Sequence, residues 1–162
     1  KGPVPATFAL SLSSVTGNVA FGKSVGALPD GHKRGAPVNN GVSPSNGSER
    51  HGPTALINSE AKLPSIWFQK GSIFNMRLSA GSLAGKEGRK RVLALVKAHF
   101  GNNQYHLQFN VLDDETLVDA QEKPEEYRDL MVRIAGYSAF FTPLNRELQN
   151  DIIERMKFDM QK

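Results

Sequence analysis

No cysteine occurs among the 162 residues. Its absence excludes disulfides, thiolate metal sites and a cysteine nucleophile from within the chain. No apolar run approaches the roughly 18 residues of a membrane span. No charged-then-apolar leader opens the sequence either, so the expectation is a soluble, cytoplasmic protein with no membrane partner. Charge of one sign is also scarce, the net value being only +4 from 20 Lys and Arg against 16 Asp and Glu. Lys86, Arg89, Lys90 and Arg91 form the one dense basic cluster, and no aromatic platform lies among them. They read as the solvated face of a helix, with no nucleic-acid partner. The chain opens Lys1-Gly2-Pro3 without an initiator Met, which is expected of a piece of something longer.

Regular periodicity is missing from Gly17 to Pro53, where Gly22, Gly26, Gly31, Gly35, Gly41, Gly47 and Gly52 recur among prolines. Pro29-Asp30-Gly31 and Asn39-Asn40-Gly41 are turn signatures, since glycine supplies positive φ and asparagine tolerates it. None of these glycines has the spacing of a phosphate cradle between a strand and a helix. Val19, Phe21, Val25, Leu28 and Val38 punctuate the stretch and favour its lying against other structure. Ahead of it, Ala6 to Leu12 is too short for periodicity to separate helix from strand.

The rest of the chain is patterned. A short helix is expected over 54–62 between Pro53 and Pro64, then a strand over 72–78. Val92, Leu95, Val96 and His99 or Phe100 share one stripe of a helix over about 85–100, which stops at Gly101-Asn102. From Tyr105 to Leu112 the residues alternate, with Tyr105, Leu107, Phe109 and Val111 on an apolar face and His106, Gln108 and Asn110 on an amide-rich one. Asp113 or Asp114 is the expected cap of a helix through Gln121. Leu130 to Ile134 reads as a further strand, and Thr142-Pro143 as the cap and first position of a helix over 144–156 with Leu144, Leu148, Ile152, Ile153 and Met156 inward. The fold class is α/β.

One glycine stands apart. Val132-Arg133-Ile134-Ala135-Gly136-Tyr137-Ser138-Ala139 joins a strand-like entry to an exposed backbone position, with Phe140 and Phe141 close behind. A glycine after a strand ordinarily permits positive φ or a close backbone approach. Its context carries more. Arg133 to Ala139 resembles the signature around the radical-bearing glycine of the glycyl radical enzymes, the pyruvate formate-lyase-like family. His106 to Val111, Leu117, Asp119-Ala120-Gln121, Pro124-Glu125 and Tyr127-Arg128-Asp129-Leu130 resemble that family's approach to the loop. Leu148-Gln149, Asp151-Ile152-Ile153 and Arg155 resemble its closing helix. Upstream, Phe21-Gly22, Gly26 to Gly31, Gly41 to Pro44 and Gly52 to Ala55 are similar too, so the likeness runs from about residue 17 to 156.

The chemistry accounts for a glycine. An α-carbon radical is stabilised by the amide nitrogen on one side and the carbonyl on the other, and it is planar; a side chain would obstruct that planarity. Glycine alone has a second α-hydrogen that can be removed while one remains. The resemblance implies Gly136 as the catalytic residue, with no bound cofactor and no metal. It implies an activating enzyme of the radical S-adenosylmethionine type, whose iron–sulfur cluster serves in removing the hydrogen. It further implies a cysteine outside this chain, which receives the radical and abstracts hydrogen from a small-molecule substrate in oxygen-sensitive, anaerobic metabolism. On that reading the chain is the C-terminal part of a ten-stranded barrel with the glycine loop inserted toward its centre. Residues 1–53 would be the tail end of the barrel and 54–162 the glycine radical domain. The complete subunit would form a homodimer or larger oligomer, and this chain by itself would be inactive.

Trp67 to Gly71 and Ile73 to Leu78 incline the reading toward addition to fumarate, as in alkyl- or arylsuccinate synthases. Diol dehydratase, C–N or C–C lyase, decarboxylase and formate acetyltransferase are the alternatives. A different class is a small radical-bearing repair subunit that docks on a damaged partner enzyme. For the neighbours of Gly136, the expectation is that Tyr137, Phe140 and Phe141 are core aromatics rather than shields of the radical. Arg133 is expected in a structural ion pair, and His106, Gln108 and Asn110 to pack rather than react.

Overall fold

The computed structural model describes residues 8–45, 48–111, 113–134 and 137–156. Helices α1 (Gly17–Lys23), α2 (Gly52–Glu60), α3 (Gly85–Gly101), α4 (Asp114–Glu122) and α5 (Arg146–Met156) alternate with short strands. Strands β1 (Phe74–Arg77) and β2 (Leu107–Asn110) pair in parallel, with Phe74 opposite Leu107 and Arg77 opposite Asn110. With α3 between them they make a strand–helix–strand unit. Strands β3 (Met131–Arg133) and β4 (Ser138–Phe140) pair antiparallel as a hairpin. Leu12 adds a single parallel bridge to Ser72 at the entrance to β1. Among the described residues no helix is long and apolar enough to cross a membrane.

Two cores hold these elements. Ile57 of α2, Phe74 and Met76 of β1, Leu78 just after β1, and Leu95 of α3 are buried together. Leu117 and Ala120 of α4, Val132, Ile134, Phe141 and the α5 residues Leu148, Ile152 and Ile153 form the other. Each fully buried side chain of this size contributes on the order of 1.5–3 kcal/mol. The expected α5 stripe is therefore present at these three positions, while the side chain of Met156 lies outside those described. On α3, Leu95 and His99 are buried and Val92 and Val96 half-buried, with Lys86, Arg89, Lys90 and Arg91 exposed opposite them as the periodicity predicts.

A buried polar pair joins α2 to α3. Glu60 Oε2 lies 2.8 Å from His99 Nδ1 with both side chains almost wholly enclosed. Phe74 stacks on the His99 ring at 5.8 Å between centroids. Burial pushes the Glu60 carboxyl up to about 7. Burial, and then the neighbouring His106, lowers His99. Both groups are thus biased toward their neutral forms, which is how a low-dielectric site accommodates titratable side chains.

Two expectations are corrected. The stretch from Gly17 was read as loop, yet Gly17–Lys23 is helical. Two glycines in seven residues make a poor helix former, and tertiary contacts decide instead. Asn18 Nδ2 donates to Asp151 Oδ2 on α5 at 3.1 Å, and Lys23 Nζ pairs with Glu147 at 2.6 Å. Gly22 is required by close approach, since a Cβ there would stand 2.0 Å from the Ala36 carbonyl oxygen. In the same stretch Val19 packs on the core and Val25 and Val38 are half-buried, whereas Phe21 and Leu28 are exposed.

Both faces of β2 are partly covered. Gln108 is buried, Leu107 and Phe109 are half-buried against the α2–α3 core, and Tyr105 and Val111 are exposed. Gln108 is buried because it has a partner on the hairpin. The cap of α5 is Asn145 rather than Thr142, for Asn145 Oδ1 accepts from the Leu148 N–H at 2.8 Å. Residues 141–144 instead form a turn, with Leu144 N–H on the Phe141 carbonyl. Buried Gln149 Nε2 occupies the carbonyls of Phe141 and Thr142, at 3.1 and 3.2 Å. Asp113 does stand at the N-cap of α4, without a side-chain cap bond.

Candidate functional site

The hairpin β3–β4 carries the candidate loop. Its pairs are Met131 with Phe140, Val132 with Ala139 and Arg133 with Ser138. Apolar Val132 and Ile134 point into the core, so alternation fixes which face of β3 is buried. The Phe141 N–H closes the base by donating to the Leu130 carbonyl at 2.8 Å. At the other end, the Ile134 N–H donates to the Tyr137 carbonyl at 3.0 Å. Gly136, the candidate catalytic residue, and Ala135 lie outside the described residues; both flanks are described.

Arg133 is held by neutral partners. Its Nε donates to Gln108 Oε1 at 3.1 Å and an Nη to Ser138 Oγ at 3.1 Å. Among the described residues these are the contacts of its guanidinium, and they tie the hairpin to β2. Gln108 packs as expected and does so through this bond; His106 and Asn110 stay half-buried on the same strand. Of the three aromatics, Phe141 is a core residue at 0% exposure, while Tyr137 and Phe140 are 40% and 48% exposed. The core account therefore holds for Phe141 alone.

A second tie comes from a part of the sequence that was read only as a turn. Asn40 is 4% exposed, and its Nδ2 donates to the Ile134 carbonyl at 3.3 Å, across 94 residues of chain. Its Oδ1 accepts from Ser14 Oγ at 3.0 Å. No local pattern could have found this pairing, because Asn-Asn-Gly signals a turn whatever the side chain later meets. Nearby on the surface, Tyr127 donates to Asp119 at 2.6 Å and Lys123 pairs with the same carboxylate at 2.8 Å. The Lys123 bond, then the Tyr127 bond, hold the Asp119 carboxyl below its usual value. Among the described residues no group of three or more His, Asp or Glu side chains is placed to hold a metal ion.

The family model "Glycine radical" matches residues 38–142, which include Gly136 and the whole hairpin. The chain is 40% identical over 156 residues to the "Probable dehydratase YbiW" of Escherichia coli (strain K12), covering 96% of this chain and 19% of that protein. It is 39% identical to the trans-4-hydroxy-L-proline dehydratase of Clostridioides difficile, over 91% of this chain and 19% of the relative. In structure it resembles the B12-independent glycerol dehydratase from Clostridium butyricum, with a TM-score of 0.89 and 44% identity over 91% of this chain and 19% of that one. The chain thus spans about a fifth of the length of these relatives. A family model covering more than half of the chain, with the family's fold reproduced around the hairpin, makes the conclusion plain: the chain belongs to the glycyl radical enzymes and is part of an enzyme.

Proposed function

We propose that Gly136 stores a backbone radical on behalf of a complete enzyme of which these residues are the C-terminal portion. The observation that carries this reading is the match to the glycine radical family over residues 38–142, which ends on a hairpin whose two strands bracket that glycine. An activase of the radical S-adenosylmethionine type removes one α-hydrogen atom from Gly136. A cysteine outside these residues then gives its thiol hydrogen to the glycyl carbon, so that an S–H bond breaks, a C–H bond forms and the radical moves to sulfur. The thiyl radical takes a hydrogen atom from the substrate and returns one to the product radical, which leaves the cycle redox-neutral.

The substrate class we propose is a small hydroxylated molecule, and the reaction its dehydration. The similarity to a glycerol dehydratase and to a hydroxyproline dehydratase supports this choice. Addition to fumarate, toward which the sequence inclined, finds no support in these relatives. In the complete subunit the glycine loop would insert toward the centre of the ten-stranded barrel, with 1–53 the tail end of that barrel and 54–162 the radical domain. A homodimer or larger assembly is part of the same proposal.

Air exposure tests the radical site. The anaerobically activated complete protein should be cleaved at residue 136 by oxygen, yielding a fragment that begins at the loop. Intact mass after activation and exposure overturns the reading.

A further inference from the structure

We propose that Asn40 is a positioning residue for the Gly136 loop, fixing the entrance of that loop through the Ile134 carbonyl. The inference rests on the reading of Gly136 as the radical store. The geometry that points to it is a turn fixed through its backbone and a carboxamide held at both ends.

The backbone of Asn40 is fixed first. The Ser43 N–H donates to the Asn40 carbonyl at 3.1 Å, and the Val42 N–H donates to the Ile73 carbonyl at 2.9 Å. Gly41 has φ +64°, and a Cβ at that position would stand 2.2 Å from the Ile73 oxygen, so only glycine allows the turn to press so close to β1. Ser43 Oγ accepts the Asn75 N–H at 2.8 Å, which locks the turn to the strand itself. The side chain is fixed next. Ser14 donates to Oδ1, which leaves the NH2 end facing Ile134 O, a group that can only accept.

Ile134 is consequently held on both sides of its own backbone. Its N–H goes to Tyr137, its carbonyl takes the Asn40 amide, and its side chain is 1% exposed in the core. It is also the last described residue before Ala135 and Gly136. A radical relay depends on geometry within fractions of an ångström. A stored radical also persists only where its loop stays closed to water and reductants. A donor preset by a rigid turn and a serine suits both needs, because no side-chain entropy remains to be lost when the loop settles.

The test uses the complete protein, anaerobically activated, as wild type, Asn40→Ala and Ser14→Ala. Two quantities are read: the half-life of the glycyl paramagnetic signal, and amide hydrogen exchange in peptides covering 130–142 against peptides covering α3. For Asn40→Ala both signal decay and exchange in 130–142 should be about fivefold faster, the factor one net hydrogen bond sets on a local opening equilibrium. Exchange in α3 should not change. Ser14→Ala keeps the donor but frees its orientation, so it should move both quantities the same way by less. Unchanged exchange in 130–142 overturns the proposal. Faster exchange with an unchanged signal half-life also overturns it, since Asn40 would then be only structural. If Asn40→Ala does not fold, Ser14→Ala decides by the same two readings. Failure of the parent reading looks different: the wild type gives no glycyl signal, or the signal survives Gly136→Ala, whatever Asn40 does to hydrogen exchange.

Discussion

Arg133 on β3 reaches Gln108 on β2 with its Nε at 3.1 Å, joining the hairpin to the parallel strand pair. The same guanidinium bonds Ser138 across the hairpin at 3.1 Å, so one planar group spans three strands. Its fork geometry permits both contacts at once, which a lysine ammonium on a flexible stem does not reproduce. Arg133→Lys should therefore cost about 1 kcal/mol. Ser138→Ala, which deletes one of the two contacts, should cost less. Chemical denaturation of the protein followed at the hairpin checks the order, and equal stability of Arg133→Lys and wild type would contradict it.

Helices α1 and α5 are joined by two contacts of unequal value. Lys23 and Glu147 are both more than half exposed, at 57% and 60%, and such pairs contribute about 0–1 kcal/mol. Asn18 is 1% exposed, and its amide satisfies the buried Asp151 carboxylate. Removing that donor takes away one buried hydrogen bond between α1 and α5. Asn18→Ala is expected to lose about 1–3 kcal/mol and Lys23→Ala at most about 1. Thermal denaturation at low and high salt separates them, because only the lysine variant's small effect should fade with salt.

Glu60 gives the α2–α3 contact a pH dependence. Its carboxyl is raised from 4.5 to about 7 by burial. A raised carboxyl contributes stability that is fully present below its unfolded value and is lost as pH rises through the folded one. Wild type should thus lose stability relative to Glu60→Gln between about pH 4.5 and 7. His99 is lowered by burial and by His106, so its own contribution runs the other way, being lost as pH falls below 6.5. Because His99 Nδ1 lies 2.8 Å from Glu60 Oε2, the two titrate as a pair, and the difference between wild type and Glu60→Gln reads that pair. Melting temperatures of the two across this range read the effect, and parallel curves would contradict it.

Glycines within the irregular stretch should respond oppositely to alanine. Gly41 combines φ +64° with a Cβ clash at 2.2 Å, so Gly41→Ala should cost at least about 2 kcal/mol. At Gly26 nothing lies within 4 Å of an added Cβ and φ is not left-handed, so Gly26→Ala should be neutral or stabilising by about 0.5 kcal/mol. Denaturant midpoints of the two variants make the comparison, and a milder loss at Gly41 than at Gly26 would contradict it.

What could be read in advance followed local periodicity. Val92, Leu95 and His99 announce α3 because burial along one stripe repeats every turn, and the same rule marked Leu148, Ile152 and Ile153 on α5. Elements fixed by distant partners were invisible. Gly17–Lys23 is a helix because α5 supplies Asp151 and Glu147, both over a hundred residues away. Gln108 is buried because Arg133 meets it, while Leu107 and Phe109 on the opposite face pack on the α2–α3 core. Thr142-Pro143 has the composition of a helix start, yet Gln149 claims the carbonyls of Phe141 and Thr142 and the start passes to Asn145. For the site, the motif around Gly136 was legible from its residue types, whereas Asn40 belongs to it only in three dimensions.

Electron paramagnetic resonance of the anaerobically activated complete protein tests the central claim most directly. A radical on Gly136 leaves one α-hydrogen on the carbon that bears the spin, so the account predicts a doublet in the wild type and none in Gly136→Ala. A doublet that survives Gly136→Ala would contradict it.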